Sequence, residues 1–136
     1  MTCPLRDQRG QSVSVFITVV FAAIIMTAGL VIDGGQKIAA ASRAETAAAG
    51  AARAATNAGV TQSLAAANPA DASLRAARAF LAGQPGVSGS ATVSNGVVTV
   101  TTRASEPTLF LSLIGVDSVS ASGTARSNAV GPRETR

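Results

Sequence analysis

One uncharged stretch constrains this chain more than any other feature. From Gln11 to Ile32 there is no charged side chain. A helix over those residues is roughly 33 Å long at 1.5 Å per residue, enough to cross a bilayer core of about 30 Å. Arg6 and Arg9 precede the stretch, and Asp33 closes it. The positive-inside rule then places the N-terminus in the cytoplasm and the rest of the chain outside, as in a signal-anchor, although Lys37 stands on the far side. A cleaved secretory signal is a second use of the same residues. Small-residue sites occur at Ala39-Ala40-Ala41 and Ala41-Ser42-Arg43-Ala44. Against it, a signal's apolar region runs to about 7–15 residues, and Asp33 and Lys37 intervene before the small residues. A buried core helix is a third use, but the rest of the chain has little apolar bulk to surround one.

About 100 residues follow the apolar run, which supports at most one small domain. The sequence has 4 Phe, no Trp and no Tyr, so its core rests on alanine and must be thin. Alanine buries little area, each Å² contributing about 25 cal/mol. Stability is therefore expected to come partly from a partner or from the membrane helix. The net charge is +4. Beyond Arg6 and Arg9, its basic residues are scattered as Lys37, Arg43, Arg53, Arg75, Arg78, Arg103, Arg126, Arg133 and Arg136. Nucleic-acid binding calls for a clustered basic patch with stacking aromatics, so no nucleic-acid partner is expected. Cys3 is the only cysteine and there is no histidine. That excludes an intramolecular disulfide, a zinc site and a Cys/His nucleophile. Cys3 also precedes the apolar run, the wrong side for a lipoprotein cysteine.

Within the apolar run, Ala23 and Thr27 form a small-xxx-small pair that lets a second helix approach closely. Past it, Asp33 to about Ala58 reads as a continuation of the helix, since alanine is the best helix former. Gly34 and Gly35 each cost about 1 kcal/mol against alanine and mark a candidate kink. Asn57, Gly59 and Asn68-Pro69 read as stops, with Thr61–Ala67 as an extra turn between them. Pro69 and Asp71 open a second helix, with Leu74, Ala77, Arg78 and Leu81 on one face and Phe80 beside them. Gly83 and Pro85-Gly86 end it.

The period then changes to two. Ser90–Ser94 and Val97–Thr101 flank Asn95-Gly96, the strongest short hairpin signal. A two-residue type I′ turn pairs Val93 with Val98 and Ala91 with Val100 on one face. Glu106-Pro107-Thr108 reads as the start of a short apolar helix, Leu109–Ile114, ended by Gly115. This helix is expected to pack between sheet and rod, with the membrane surface as the alternative. Ser118–Ala125 alternates again, placing Val119, Ala121, Gly123 and Ala125 on one side of a third strand. The division expected is a cytoplasmic segment (1–10), a transmembrane helix (11–32), an Ala-rich helical extension (33–58), a small extracytoplasmic α+β domain (59–127) and a disordered tail (128–136).

The acidic inventory outside the N-terminal segment is Asp33, Glu45, Asp71, Glu106 and Asp117, with a further Glu134 in the tail. No spacing puts two of the first five on one predicted face, and no serine sits in a G-x-S-x-G elbow. No enzyme activity, cofactor, metal or small-molecule substrate is expected. Asp71 and Glu106 are read at helix starts, Asp33 at the membrane edge, and Glu45 and Asp117 in solvent.

Arg9-Gly10-Gln11-Ser12-Val13-Ser14-Val15-Phe16, the apolar run, Val31-Ile32-Asp33-Gly34-Gly35 and the Ala-rich stretch with Ala44-Glu45-Thr46-Ala47-Ala48-Ala49 form an ordered series. The series resembles the TadE/TadG-like proteins of Flp (tight-adherence) pilus assembly, in the short form of high-GC Gram-positive bacteria. The resemblance is strongest over residues 6–58. It implies a pilin-like α+β fold: a long transmembrane and exposed helix, then a small three-stranded antiparallel sheet with two short helices. It implies a structural role in pilus or secretion-apparatus assembly, as a minor pseudopilin or an anchor. Its partners would be the membrane, other pilin-like subunits, Tad assembly proteins and a prepilin peptidase. Carried over from prepilins, a processing cut falls between Gly10 and Gln11, ahead of the aromatic Phe16, while Asp33 and Gly35 occupy family-motif positions. Two departures point to the TadG-type branch: Val15 stands where pilins commonly carry Glu, and Asp33 is followed by Gly34 rather than an aromatic. The alternative is a secreted or surface-tethered, non-catalytic protein with no pilus role.

Overall fold

In the computed structural model, which describes residues 9–65 and 68–128, one α-helix supports every other element. This helix, α1 (Arg9–Leu64), has 56 residues. At 1.5 Å per residue it is roughly 84 Å long. It passes through Gly34 and Gly35 and past Asn57 and Gly59 without a break. The stop expected near Asn57 is therefore a difference, and α1 extends to Leu64. Gly and Asn are weak helix formers rather than obligate breakers, and their cost of up to about 1 kcal/mol each is offset by packing along the same stretch. Gly59 is buried there.

The second helix, α2 (Pro69–Ala82), is capped by Asn68, whose Oδ1 accepts from the Ala70 N–H at 3.1 Å. Pro69 opens the helix and Asp71 sits in its first turn. Its buried face is Ala72, Ser73, Ala77 and Leu81. Arg78 was expected on that face but is exposed, since its charge is cheaply solvated only outside.

Three strands follow: β1 (Val87–Ser94), β2 (Val97–Pro107) and β3 (Ser118–Asn128), antiparallel in the order β1-β2-β3. The hairpin register pairs Val93 with Val98 and Ala91 with Val100, as the alternation predicts. Asn95 and Gly96 both have positive φ, 52° and 75°, the backbone that a type I′ turn demands. Glu106 and Pro107 end β2 instead of starting a helix, and Pro107 pairs with Ser118. Pro lacks an N–H, and the end of a strand tolerates that. The expected apolar helix shrinks to one 3-10 turn, Leu111–Ile114. The architecture is α+β, with one long helix, one short helix and a three-stranded antiparallel sheet. Residues 129–136, most of the expected tail, and residues 1–8 lie outside the described residues.

The core explains why α1 is so rich in alanine. Ala40, Ala44, Ala48, Ala51 and Ala55 are each 0% exposed and recur every three or four residues, which makes one stripe along the helix. β3, β2 and α2 all lie against α1. Val98, Val100 and Ala91 of the hairpin and Leu81 and Ala77 of α2 complete the cluster. With only methyl groups on the stripe, neighbouring backbone comes very near. At Gly123 a Cβ would stand 2.5 Å from the Glu45 nitrogen and 2.6 Å from the Ala44 carbonyl carbon. Side-chain hydroxyls use the same closeness. Thr102 Oγ1 donates to the Ala44 carbonyl at 2.7 Å, Ser127 Oγ to Ala52 at 3.0 Å and Ser73 Oγ to Ala55 at 2.8 Å.

Because the atoms facing Gly123 belong to backbone, they have no rotamer with which to yield. Gly123→Val is expected to destabilise the domain by about 1–3 kcal/mol through overpacking. Urea titration of the detergent-solubilised full chain, followed by its β-sheet circular dichroism, checks this.

Candidate functional site

A carboxylate at the end of an apolar run has two options: to face water or to find donors. Asp33 takes the second. It lies on the covered stripe of α1, four residues after Gly29 and seven before Ala40, and is 1% exposed. Its Oδ1 accepts from the Leu109 N–H at 2.8 Å, and its Oδ2 accepts from the N–H groups of Phe110 and Leu111 at 3.1 and 2.6 Å. Burial weighs against the charge. The three N–H groups outweigh it, and the carboxyl is held below its ordinary value of 3.8. The bland position at the membrane edge expected for Asp33 is thus also the docking point of the segment between β2 and β3.

That segment is held closed from within. Thr108 N–H donates to the Asp117 carbonyl at 3.1 Å, and Thr108 Oγ1 donates to the Val116 carbonyl. Leu113, Gly115 and Val116 N–H groups donate to the carbonyls of Phe110, Ser112 and Leu111. Gly115 makes the reversal with φ 90°. Phe110 lies against α1 where Gly29 leaves room: a Cβ at Gly29 would be 2.5 Å from the Phe110 Cγ. Four other apolar side chains of the segment find no such cover. Leu113 is 81% and Ile114 77% exposed, and Leu109 and Val116 are exposed as well. The expectation that this segment packs between sheet and rod is therefore corrected. Alanine and glycine on the stripe bring the sheet so close to α1 that no layer fits between them, and the segment is displaced to the end of the sheet.

Glu106 and Asp71 find their partners elsewhere. Glu106 forms an ion pair with Arg43, whose Nη2 also donates to the Pro85 carbonyl at 3.0 Å. That replaces the helix-start role expected for Glu106 and ties the end of β2 to the turn after α2. Arg43 is 46% exposed, so the pair contributes at most about 1 kcal/mol. Asp71 stays at the start of α2, where it accepts from Asn68 Nδ2 at 2.9 Å. Among the described residues, no three of His, Cys, Asp and Glu gather as a metal site.

The N-terminal half of α1 is a second candidate surface. Every residue from 12 to 28 is exposed, Phe16 among them at 68%. Gly10 and Gln11 lie in the first turns of α1. Val20, Ala23, Ile24, Thr27, Ala28 and Val31 line a shallow apolar groove on one flank. Thr27 Oγ1 donates to the Ala23 carbonyl at 2.8 Å, so the hydroxyl already has an acceptor within the helix. Gly34 and Gly35 face open space, where a Cβ would meet nothing within 4 Å. Compared with family models, curated proteins and solved structures, the chain matches none.

The lowered value of Asp33 fixes the sign of its pH dependence. Its contribution is full above pH 3.8 and fades as the pH falls through the folded-state value. Amide protection factors at Leu109, Phe110 and Leu111 are expected to hold from neutral pH to about 4 and to collapse below it. Asp33→Asn is expected to lower them at neutral pH by at least about tenfold, since an amide presents one oxygen instead of two and adds two donors facing donors. Hydrogen exchange on the full chain in micelles measures both.

Proposed function

We propose that this chain is a single-pass envelope protein that works structurally in assembling a Flp (tight-adherence) type pilus or a related secretion apparatus, as a minor pseudopilin or an anchor. One observation carries the reading: a single helix is bare over residues 12–28 and covered along one stripe from Gly29 onward. The bare half is long and apolar enough to cross a membrane. In water its exposed Val, Ile and Phe side chains would cost about 1.5–3 kcal/mol each relative to burial. A bilayer removes that cost, and so does a bundle of like helices.

In this reading the N-terminus is cytoplasmic and the sheet lies outside the cell membrane. The groove beside Ala23 and Thr27 supports lateral packing against other pilin-like helices, because small residues let backbones approach and the Thr27 hydroxyl is already bonded. β3 lies at the edge of the sheet and offers a strand edge to an assembly partner. The likeness to TadE/TadG-like proteins over residues 6–58 adds the pilus context, and Val15 in place of an acid favours the anchor over the polymerising subunit.

A photo-crosslinking residue replacing Ile24, in membranes of the native host, is expected to capture other single-pass pilin-like subunits or Tad assembly proteins. A chain that stays monomeric and captures none of them overturns the role. Mass spectrometry of the N-terminus separates the two forms. A start at Gln11 means cleavage after Gly10 by a prepilin peptidase. An intact N-terminus means a permanent anchor. A start near Ser42 means a secreted protein, and sinks both.

A further inference from the structure

We infer that the segment 109–116 is a second membrane contact: a wedge that enters the outer leaflet beside α1 and holds the sheet at a fixed height and tilt. The inference rests on the reading of residues 11–32 as a membrane span and adds a site to it. Three independent observations select lipid as the occupant. The first is depth. Phe110 packs on Gly29, four residues inside the point where Asp33 ends the uncharged run, so the segment reaches about 6 Å toward the membrane side of that point. Interfacial apolar elements sit about 5–10 Å into the headgroup and acyl boundary, the same level.

The second is backbone satisfaction. Irregular backbone is costly near hydrocarbon unless its polar groups find partners within the protein. Here Asp33 and the internal carbonyls take up the N–H groups that a loop normally gives to water. The third is exposure. Leu113 at 81% and Ile114 at 77% are among the most exposed large apolar side chains of the domain. Their turn, Leu111–Ile114, lies against α1 and directly follows Phe110, which rests on Gly29 at the edge of the bare stretch. A protein partner would have to dock on a patch already level with the bilayer; lipid is there without being recruited.

The test uses the full chain with Cys3→Ser and one new cysteine at a time, labelled with an environment-sensitive fluorophore. Ile114→Cys reports the wedge, Val20→Cys the span, and Ser94→Cys the water-exposed hairpin end. Each protein is reconstituted in phosphatidylcholine and phosphatidylglycerol vesicles carrying spin-labelled acyl chains. The expected result is that a shallow quencher lowers emission at Ile114→Cys at least roughly twofold relative to Ser94→Cys, with Val20→Cys quenched by a deep one. Quenching at Val20→Cys with none at Ile114→Cys overturns the wedge and leaves the span standing. Quenching at neither position overturns both. A blue shift at Ile114→Cys without lipid quenching, fading as protein is diluted in lipid, means a second copy covers the segment and overturns the wedge. Because Ile114 is exposed, the labelled variant leaves the core untouched.

Discussion

The closeness of the sheet to α1 is the constraint on which the rest of the structure depends. A stripe of alanines presents the helix as little more than backbone. β3 comes so near that Gly123 has no room for a methyl group, and hydroxyls of Thr102, Ser127 and Ser73 reach main-chain carbonyls of α1. The Ala44 and Ala55 carbonyls each have a second lone pair, so they accept the hydroxyl without giving up a helical bond, while the Ala52 carbonyl is shared with the Thr56 hydroxyl as well. Each bond contributes about 1 kcal/mol net. In a domain with no Trp and no Tyr these contacts replace the interdigitated bulk of an ordinary core. The arrangement also explains why the hairpin's buried side chains are small: larger ones would lift the sheet off the rod.

The same constraint sets the fate of the bulky apolar residues. Leu109, Leu113 and Ile114 find no gap under the sheet, and their segment hangs from its end with Asp33 as the attachment point. A buried carboxylate is tolerable there because three backbone donors converge on it. The two halves of α1 are therefore coupled, since the cover over the Ala-rich half extends onto the apolar run at Gly29.

Much of this was legible in the sequence. The period-two alternation around Asn95-Gly96 gave the strand register residue for residue, because the side-chain period of a strand leaves no freedom once one face is apolar. The apolar run, the start of α2 and the side of β3 that faces inward were readable for the same kind of local reason. The misses were tertiary. Nothing near Glu106-Pro107 distinguishes a helix start from a strand end; the pairing of Pro107 with Ser118 decides it. Asp33 looked like a boundary residue because its partners lie 76 and more residues away. A signal for it existed: an acid following the apolar run and, much later, an apolar segment framed by Thr108 and Gly115 with no place in a thin core. The buried Ser73 was missed because a hydroxyl aimed at a helix carbonyl leaves no periodicity.

The uninterrupted passage of α1 through Gly34 and Gly35 has a mechanical meaning. Two adjacent glycines are the softest point of the rod, and they sit just past the end of the uncharged run. Yet the segment between β2 and β3 is fixed to α1 before that point, at Gly29 and Asp33. Its flanking strands pack on α1 beyond it, from Ala40 onward, so the two together bridge the glycines as a splint bridges a joint. Bending there would first have to strip three hydrogen bonds from Asp33. A sideways pull on the sheet is thus passed to the apolar half of α1 as torque instead of being lost in a hinge, and the protein behaves as a lever rather than a jointed arm.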